Sequence, residues 1–399
     1  MKTLTKINIG FLALAAVALW FTSCSSEDVA SGTNQGNQES ILLLSFNTGK
    51  MGTRSTTTNL TDDEKKINDM TIGIYSSDGQ RLRTVQKLTK AESEGEATPG
   101  SNKFYMDGSG NAVAKIVTTA ALTAGDQVLV AANTGSADFS KKGTADGFKS
   151  VEIDATTALT GTSAGTALTA ATLPKFGTSS GKLQAGSNKS EFSASDIKLK
   201  NLVSKITLQS ITVDFAADGP YASATFEPQE MYLVSVPNKM QFSETAWINN
   251  PGSYFSGNDK GFLKVTLSTP SGEGASKVLS VNNSKFTGTA TDVLYTIPNS
   301  NTEANKTVLV IKGQFQGETK PVYYKLPLNV AGYTAGKPSG PVAAGTTAFQ
   351  IPSGKNIKCN ITIKTIGSTN PDAESGPLTA TLTVTVDPWD DLDQTTTFE

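Results

Sequence analysis

Two residues near the N-terminus stand in contexts that could support chemistry, and the first is Cys24. It follows an apolar run from Ile7 to Phe21, and Lys2 and Lys6 precede that run. A run this short, with small residues before a cysteine, is typical of a secretory signal rather than of a membrane span. Cys24 therefore stands where bacterial lipoproteins are cleaved and acylated, for example with palmitate, although Phe21 occupies a position that usually holds an aliphatic residue. A plain signal peptide that is cut nearby is the alternative.

The second residue is Arg54, which lies in a polar stretch, Gly52–Asn59, after an apolar segment. The other arginines, Arg81 and Arg83, follow a turn and lie within a predicted strand. Exposed polar loops are where proteolytic nicking concentrates. A trypsin-like protease selective for arginine would thus have one loop target, the bond between Arg54 and Ser55. An ordinary solvated arginine is the alternative.

The composition excludes several function classes. The chain has no histidine, which removes Ser-His-Asp and Cys-His catalysis and the commonest metal ligand. Cys359 lies in an alternating apolar stretch and is expected to be a small buried residue, so no disulfide framework is predicted. The acidic clusters Thr61–Glu64 and Asp387–Asp393 lack EF-hand spacing, and solvated turns are favoured there. The net charge of −2 offers no basic surface for nucleic acid, so no nucleic-acid partner is expected. From the residue types and motifs described above, we also expect no enzyme, no cofactor and no metal site.

Short strands are the elements that would position these residues. The first is an apolar run between polar flanks, Ile41, Leu42, Leu43, Leu44 and Phe46, and its length predicts a buried strand. Later strands alternate with a period of two, and the pattern predicts a long strand over Ser204–Phe215 with a bulge near Gln209-Ser210. Residues 140–189 are predicted to hold one short helix and long loops. Strands separated by Gly, Pro and Asn turns favour antiparallel β-sandwiches with little helix.

Several short motifs occur in an order that resembles a known family. They are Val128–Gly135, which ends in Ala-Asn-Thr-Gly, then Asn201–Ile206, Phe226–Tyr232, Lys355–Ile363 and Val384–Trp389. In the fourth motif, Lys355 and Cys359 replace the Arg and Tyr of the family's "Arg-Asn-x-x-Tyr". Together with the leader and Arg54, these motifs resemble the fimbrillins, the FimA-type major subunits of the type V pili of Bacteroidales, over nearly the whole chain.

The resemblance implies a mechanism of assembly. The precursor would be an outer-membrane lipoprotein in transit, and an arginine-specific protease would cut after Arg54 and release the first strand. A C-terminal segment of the next subunit would then fill the open groove by β-strand addition. Head-to-tail contacts of this kind propagate as a filament, here a cell-surface fimbrium with anchor and tip subunits that serves adhesion and biofilm formation.

Two C-terminal segments are candidate donors. Residues 378–386 alternate strictly, and the tail that follows is polar with large apolar anchors; the candidates are Leu378, Leu382, Val384 and Val386, and then Trp389, Leu392 and Phe398. The first segment could equally be an edge strand of its own domain. The predicted organisation is a signal peptide (1–23), a propeptide with the removable strand (24–54), and two tandem transthyretin-like, Greek-key β-sandwich domains (55–196 and 197–399), with a donor tail over about 378–399.

Two other functions remain open on the sequence. A tip or accessory fimbrillin would end compactly after its final strand, and the residues from Asp390 to Glu399 favour a donor instead. A glycan-binding surface lipoprotein that never polymerises would need aromatic platforms, and Trp247, Tyr254 and Phe255 form the one local cluster in a loop. Aromatic residues in such a loop more often pack against the protein.

Overall fold

A computed structural model of the chain describes residues 40–47, 60–108, 110–162, 170–178, 183–186, 191–249, 251–268, 276–281, 285–301, 303–334, 337–373 and 379–388. These residues form many strands and three short α-helices. The prediction of a mainly β protein with little helix is confirmed. No helix in the described ranges is long and apolar enough to cross a membrane.

The element bounds are as follows. The α-helices are α1 (Asp62–Lys65), α2 (Ala145–Lys149) and α3 (Ala155–Thr160), and 3-10 turns lie at Glu94–Glu96, Ala170–Thr172 and Gly261–Leu263. The strands are β1 (Ser40–Asn47), β2 (Asp69–Tyr75), β3 (Leu82–Lys90), β4 (Lys103–Met106), β5 (Ala112–Thr118), β6 (Gln127–Ala132), β7 (Glu152–Asp154), β8 (Lys175–Thr178), β9 (Gln184–Ala185), β10 (Glu191–Lys198), β11 (Lys200–Asn201), β12 (Ser204–Val213), β13 (Phe226–Val234), β14 (Val236–Pro237), β15 (Lys239–Gln241), β16 (Tyr254–Phe255), β17 (Lys264–Thr266), β18 (Phe286–Thr287), β19 (Val293–Thr296), β20 (Val308–Phe315), β21 (Val322–Pro327), β22 (Tyr333–Thr334), β23 (Lys337–Pro338), β24 (Lys355–Ile363) and β25 (Ala380–Pro388).

The region 140–189 differs from its prediction. Its described residues, 140–162, 170–178 and 183–186, hold two α-helices, α2 and α3, and three short strands, where one helix and long loops were predicted. The second helix was not predicted, because small residues form much of the buried surface of these helices: Ala145, Ala155 and Ala158 are buried beside Phe148. A pattern search that looks for large apolar residues does not detect a helix of this kind.

Strands from the first half of the chain form a ten-stranded sheet in the order β11-β8-β6-β2-β3-β4-β5-β1-β10-β9. Successive side chains of a strand point to opposite faces, and here both faces are covered. Ile72 and Ile74 of β2 and Val130 of β6 lie in one hydrophobic cluster. Tyr75 and Leu129 lie in a second cluster on the other face.

The Ala-Asn-Thr-Gly motif has a structural role at the end of β6. Asn133 adopts a left-handed φ of 54°, which asparagine tolerates better than most residues. Its side chain accepts a hydrogen bond from the amide of Asn68 at 2.9 Å and donates to the carbonyl oxygens of Lys66 and Leu173 at 3.0 and 2.8 Å. Asn133 thereby holds three chain segments together at the sheet end.

Most strands from Ser204 onward form two larger sheets, and β14-β16 and β22-β23 are separate two-stranded pairs. One of the larger sheets contains β18-β12-β24-β25 with β19 also on β12, and the other is β17-β13-β20-β21. A single hydrophobic cluster includes inward residues of both sheets, such as Ile206, Ile361, Leu233 and Ile311, as in a β-sandwich. The bulge predicted near Gln209-Ser210 is confirmed, since the β12–β24 register shifts between Leu208 and Ser210. The described pairs are mainly antiparallel, with parallel pairing at β1–β10, β3–β4 and β12–β24.

The two sets of strands are joined within one compact unit, residues 39–399. The short strand β7 pairs with β15, and Phe139 stacks on both Phe148 and Phe242 at 4.5 and 5.4 Å between ring centroids. The sheets change between β11 and β12, whereas the predicted domain boundary at 196/197 lies inside β10. The division into two domains stays a prediction.

Candidate functional site

The first strand is enclosed by two others. β1 runs antiparallel to β5, with Leu42 opposite Ile116, and parallel to β10, with Leu42 opposite Phe192. A register shift between Leu44 and Phe46 marks an irregularity against β10. The strand predicted over Ile41–Phe46 is therefore present, and it fills an internal position of the ten-stranded sheet.

The described side chains of β1 alternate between the core and solvent. Leu42 and Leu44 are fully buried, and they pack in the cluster that contains Ile116 and Phe192. Leu43 is 48% exposed, so the expectation that the whole apolar run is buried was wrong at this position. A strand with one face on a core buries every second residue, and four consecutive apolar residues conceal which ones face inward.

The position of β1 determines what its removal would do. β5 and β10 would each lose a hydrogen-bonded neighbour, and an internal slot between two strand edges would open. Burial of Leu42 and Leu44 contributes about 1.5–3 kcal/mol each. The slot would therefore present two unpaired edges and an apolar floor, which are the features that recruit another strand.

Cys24, Arg54 and Ser55 lie outside the described residues, as do Leu378, Trp389, Leu392 and Phe398. Of Ile41 and Phe46 only the backbone pairing is described.

The structure gives reasons why the other two arginines would resist a protease. Arg83 donates from Nε and Nη2 to the carboxylate of the buried Asp126, at 3.1 and 3.3 Å. Arg81 lies in the bend before β3 and is exposed, so its predicted place inside the strand was wrong. Its amide donates to Ser76 Oγ at 3.0 Å and its carbonyl accepts from the Ser76 amide at 2.8 Å. A protease must bind its target as an extended chain, and these bonds hold the hairpin closed.

A buried ionic cluster secures the chain a few residues after Arg54 in the sequence. Thr61 caps α1 in a capping box, and Glu64, the third residue of the helix, is fully buried. The Glu64 carboxylate accepts from the Thr61 amide at 2.6 Å, from Lys205 Nζ at 2.8 Å and from the Tyr295 hydroxyl. The expectation of a solvated turn was wrong for Glu64. The Thr61-x-x-Glu64 spacing, a capping-box signature, was the signal that could have identified the helix start.

Tyr295 acts in this cluster as a hydrogen-bond donor. Burial, and next the charge and hydrogen bond of Glu64, raise the pKa of the phenol far above its usual value. The hydroxyl thus stays protonated and available to the carboxylate. Lys205 and Tyr295 come from β12 and β19, so the cluster ties α1 to the second set of strands. A buried carboxylate requires such partners, because desolvation of an unpaired charge is costly.

The C-terminal strand β25 is the edge of its own sheet. It pairs antiparallel with β24 along its whole length, from Ala380 opposite Ile363 to Pro388 opposite Lys355. Val384 is buried and Leu382 and Val386 are partly buried against the sandwich core. Lys358 Nζ lies 2.5 Å from the Asp387 carboxylate. Of the two candidate donors, the alternating segment is therefore engaged within its own chain.

Other candidate residues have structural roles. Cys359 is fully buried opposite Val384, as predicted, and burial raises its pKa to about 12. Trp247 Nε1 donates to the Ile351 carbonyl at 3.0 Å, and Phe255 packs edge-on against Phe262. Both aromatic side chains are half-buried and contact other residues of the protein. In the described part of the chain, no cluster of three or more His, Cys, Asp or Glu side chains could hold a metal ion.

Comparisons with known proteins identify the fold. A fimbrilin (FimA) from Porphyromonas gingivalis W83 aligns with a TM-score of 0.53 at 14% identity, over 90% of this chain and 100% of its own. Proteins assigned to cell adhesion from Parabacteroides distasonis ATCC 8503 and Bacteroides eggerthii DSM 20697 align at 0.53 and 0.52, with 15% and 17% identity, over 89% and 90% of this chain and 99% and 98% of theirs. No family model and no curated protein matches the chain. The resemblance to fimbrillins is thus confirmed at the level of structure, and this chain has the fold of the Bacteroidales fimbrillins.

Proposed function

We propose that this chain is a structural subunit of a cell-surface fimbria, with no enzymatic role. The observation that carries the proposal is the internal position of β1, which precedes Arg54 in the sequence and lies between β5 and β10. The precursor is exported as an outer-membrane lipoprotein acylated on Cys24. An arginine-specific protease then cuts between Arg54 and Ser55, and β1 leaves with the propeptide.

Assembly follows from the slot that this cleavage opens. A C-terminal segment of the next subunit enters between β5 and β10, where backbone hydrogen bonds supply affinity and the pockets of Leu42 and Leu44 set the register. The Glu64 cluster supports this order of events, because α1 begins soon after Arg54 and is tied to β12 and β19. The new N-terminal segment is thereby retained while β1 departs. Subunits joined in this way form a filament that includes anchor and tip subunits and serves adhesion and biofilm formation.

Substitution of the processing arginine tests the proposal. Arg54→Lys keeps the positive charge but removes the target of an arginine-specific protease, so uncleaved precursor accumulates and no fibres form. Arg81→Lys is the matched control, since Arg81 is exposed yet held in a closed hairpin, and it assembles normally. Normal fibres from Arg54→Lys would contradict the proposal.

Two further experiments separate the alternatives. A chain that ends after Trp389 lacks the polar tail and should stop filament growth, whereas unchanged filament length would indicate a tip or accessory subunit. Glycan binding by the monomer that is lost in Trp247→Ala would favour a glycan-binding lipoprotein. The hydrogen bond from Trp247 Nε1 to the Ile351 carbonyl, which holds the ring against its own chain, argues against that outcome.

A further inference from the structure

One of the two strands that flank β1 depends on it for its place in the sheet. β10 has two hydrogen-bonded neighbours among the described strands, β1 on one side and β9 on the other. The pairing with β9 covers two residue pairs, whereas the pairing with β1 runs from Ile41 to Asn47. Loss of β1 would therefore leave most of β10 without a neighbouring strand.

The direction of β10 suits it to pair with β5. β1 is antiparallel to β5 and parallel to β10, so β5 and β10 run antiparallel to each other. Ile116 of β5 and Phe192 of β10 both lie opposite Leu42 of β1. A sideways movement of β10 by one strand spacing, about 4.7–4.9 Å, would bring Phe192 directly opposite Ile116 without a change of register.

The faces of the two strands match as well. Ile116 and Phe192 are both buried in the same hydrophobic cluster. Lys115 and Ser193 both lie opposite the exposed Leu43, and they are half-buried and exposed, respectively. Direct pairing of β5 with β10 would keep the apolar residues on the core side and the polar residues on the solvent side.

We propose that β10 moves onto β5 when β1 leaves, so that the slot closes and a cleaved subunit stays closed until a donor strand separates the two strands again. β10 runs directly into β11, which remains paired with β8, so the movement pivots at that end. The inference rests on the proposed removal of β1, and it concerns how the slot behaves afterwards.

Closure is favoured because an open slot is costly. It would leave two strand edges unpaired and expose the apolar side chains that β1 had covered. Closure pairs the edges and buries Ile116 against Phe192. Both residues opposite Leu44 are alanines, Ala114 and Ala194, so no bulky side chain opposes the approach there. A closed subunit also offers no free edge to an incorrect partner at this site.

A disulfide between the two strands tests the closure. Lys115→Cys/Ser193→Cys places one thiol on each strand. While β1 lies between them, the two Cα atoms are about 9–10 Å apart, two strand spacings, which is too far for a disulfide. After closure, they would oppose each other directly at about 4.5–5.5 Å, which is within reach.

The experiment compares the purified precursor with the same protein after an arginine-specific protease has cut it in vitro. Monomers are isolated on a sizing column, oxidised and analysed by peptide mass mapping, which also reports whether the β1 peptide has left. We expect free thiols at positions 115 and 193 in the precursor and a disulfide between them in monomers that have lost β1.

Three results would overturn the proposal. Free thiols in monomers that have lost β1 would show that the slot stays open, while strand removal itself would stand. A disulfide in the uncut precursor would show that closure does not depend on the loss of β1. Retention of β1 after the cut would contradict the proposed function, and this inference with it.

A second cysteine pair is the positive control. Leu43 and Lys115 are direct partners in the antiparallel register of β1 and β5, so Leu43→Cys/Lys115→Cys should form a disulfide in the precursor.

The disulfide between positions 115 and 193 also allows a test of assembly. Cleaved monomers locked in this way should form no fibres until a reductant is added, since the donor has to enter between β5 and β10. Fibres that form while this disulfide is intact would overturn the proposal. Assembly after reduction shows that the two substitutions themselves do no harm.

Discussion

At the scale of single residues, the alternation of side chains along β1 decides which of them anchor the strand in the hydrophobic core. Leu42 is fully buried whereas the adjacent Leu43 is 48% exposed. In the uncleaved Arg54→Lys precursor, we expect Leu42→Ala to lower the free energy of unfolding by about 2–5 kcal/mol, because it leaves a cavity. Leu43→Ala is the matched control and should change it by about 0.5 kcal/mol or less.

Urea unfolding of the two variants measures this difference. Equal losses of stability in Leu42→Ala and Leu43→Ala would contradict the alternation that the structure shows for β1.

The buried Glu64 cluster leads to a second prediction at this scale. Tyr295→Phe removes the hydroxyl that donates to the Glu64 carboxylate. A buried carboxylate deprived of one donor should cost about 1–3 kcal/mol of stability. Tyr105→Phe is the control, since its hydroxyl bonds Glu94 at the surface. Thermal unfolding measures the loss of stability in each variant. Equal losses would contradict a stabilising role for the buried hydrogen bond between Tyr295 and Glu64.

At the scale of elements, the proposed assembly raises the question of which C-terminal segment would be donated. Cys359 of β24 lies directly opposite Val384 of β25. Directly opposed residues of an antiparallel pair lie within reach of a disulfide. Val384→Cys should therefore lock β25 to its own sheet under oxidising conditions.

We expect the locked Val384→Cys protein to assemble, because β25 is paired along its whole length within its own chain and the tail after Pro388 can still be donated. Negative-stain images of fibres formed with and without reductant provide the measurement. Assembly that appears only after reduction would instead identify β25 as the donor.

Some of these elements could be predicted from the sequence, and others could not. The apolar run at β1 and the alternation of β12, including its bulge, were predictable because local pattern sets strand identity. The parallel pairing of β1 with β10 was not, since it joins residues far apart in sequence and no local signal encodes it. The burial of Glu64 was missed for the same reason: its partners Lys205 and Tyr295 are distant in the chain.

The candidate site shows the same limit. Local sequence predicted the strand, but not that Leu43 faces solvent or that Arg81 lies outside its strand. Both depend on how the strand packs against its neighbours, which is settled by tertiary structure.

At the scale of the whole molecule, buried tyrosines predict alkaline sensitivity. Burial raises the pKa of Tyr232 from 10.0 to about 12, and burial also raises the pKa values of Tyr75, Tyr295 and Tyr324 well above the usual value. The folded state then holds these protons more tightly than the unfolded state. For Tyr232 this contribution to stability is complete below pH 10 and is lost as the pH rises from 10 towards 12.

Urea midpoints measured at increasing pH test this dependence. Tyr232→Phe lacks one of the ionisable groups and should lose stability less steeply. A urea midpoint that stays constant as the pH rises from 10 towards 12 would contradict the assignment of these phenols as buried and protonated.

The central claim is that an arginine-directed cut removes β1 and opens the slot between β5 and β10. Intact mass and N-terminal sequencing of the protein in fibres sheared from the cell surface test it most directly. We predict a chain that begins at Ser55. A chain that still begins at an acylated Cys24 would mean that β1 remains in its sheet, and it would contradict assembly by strand exchange.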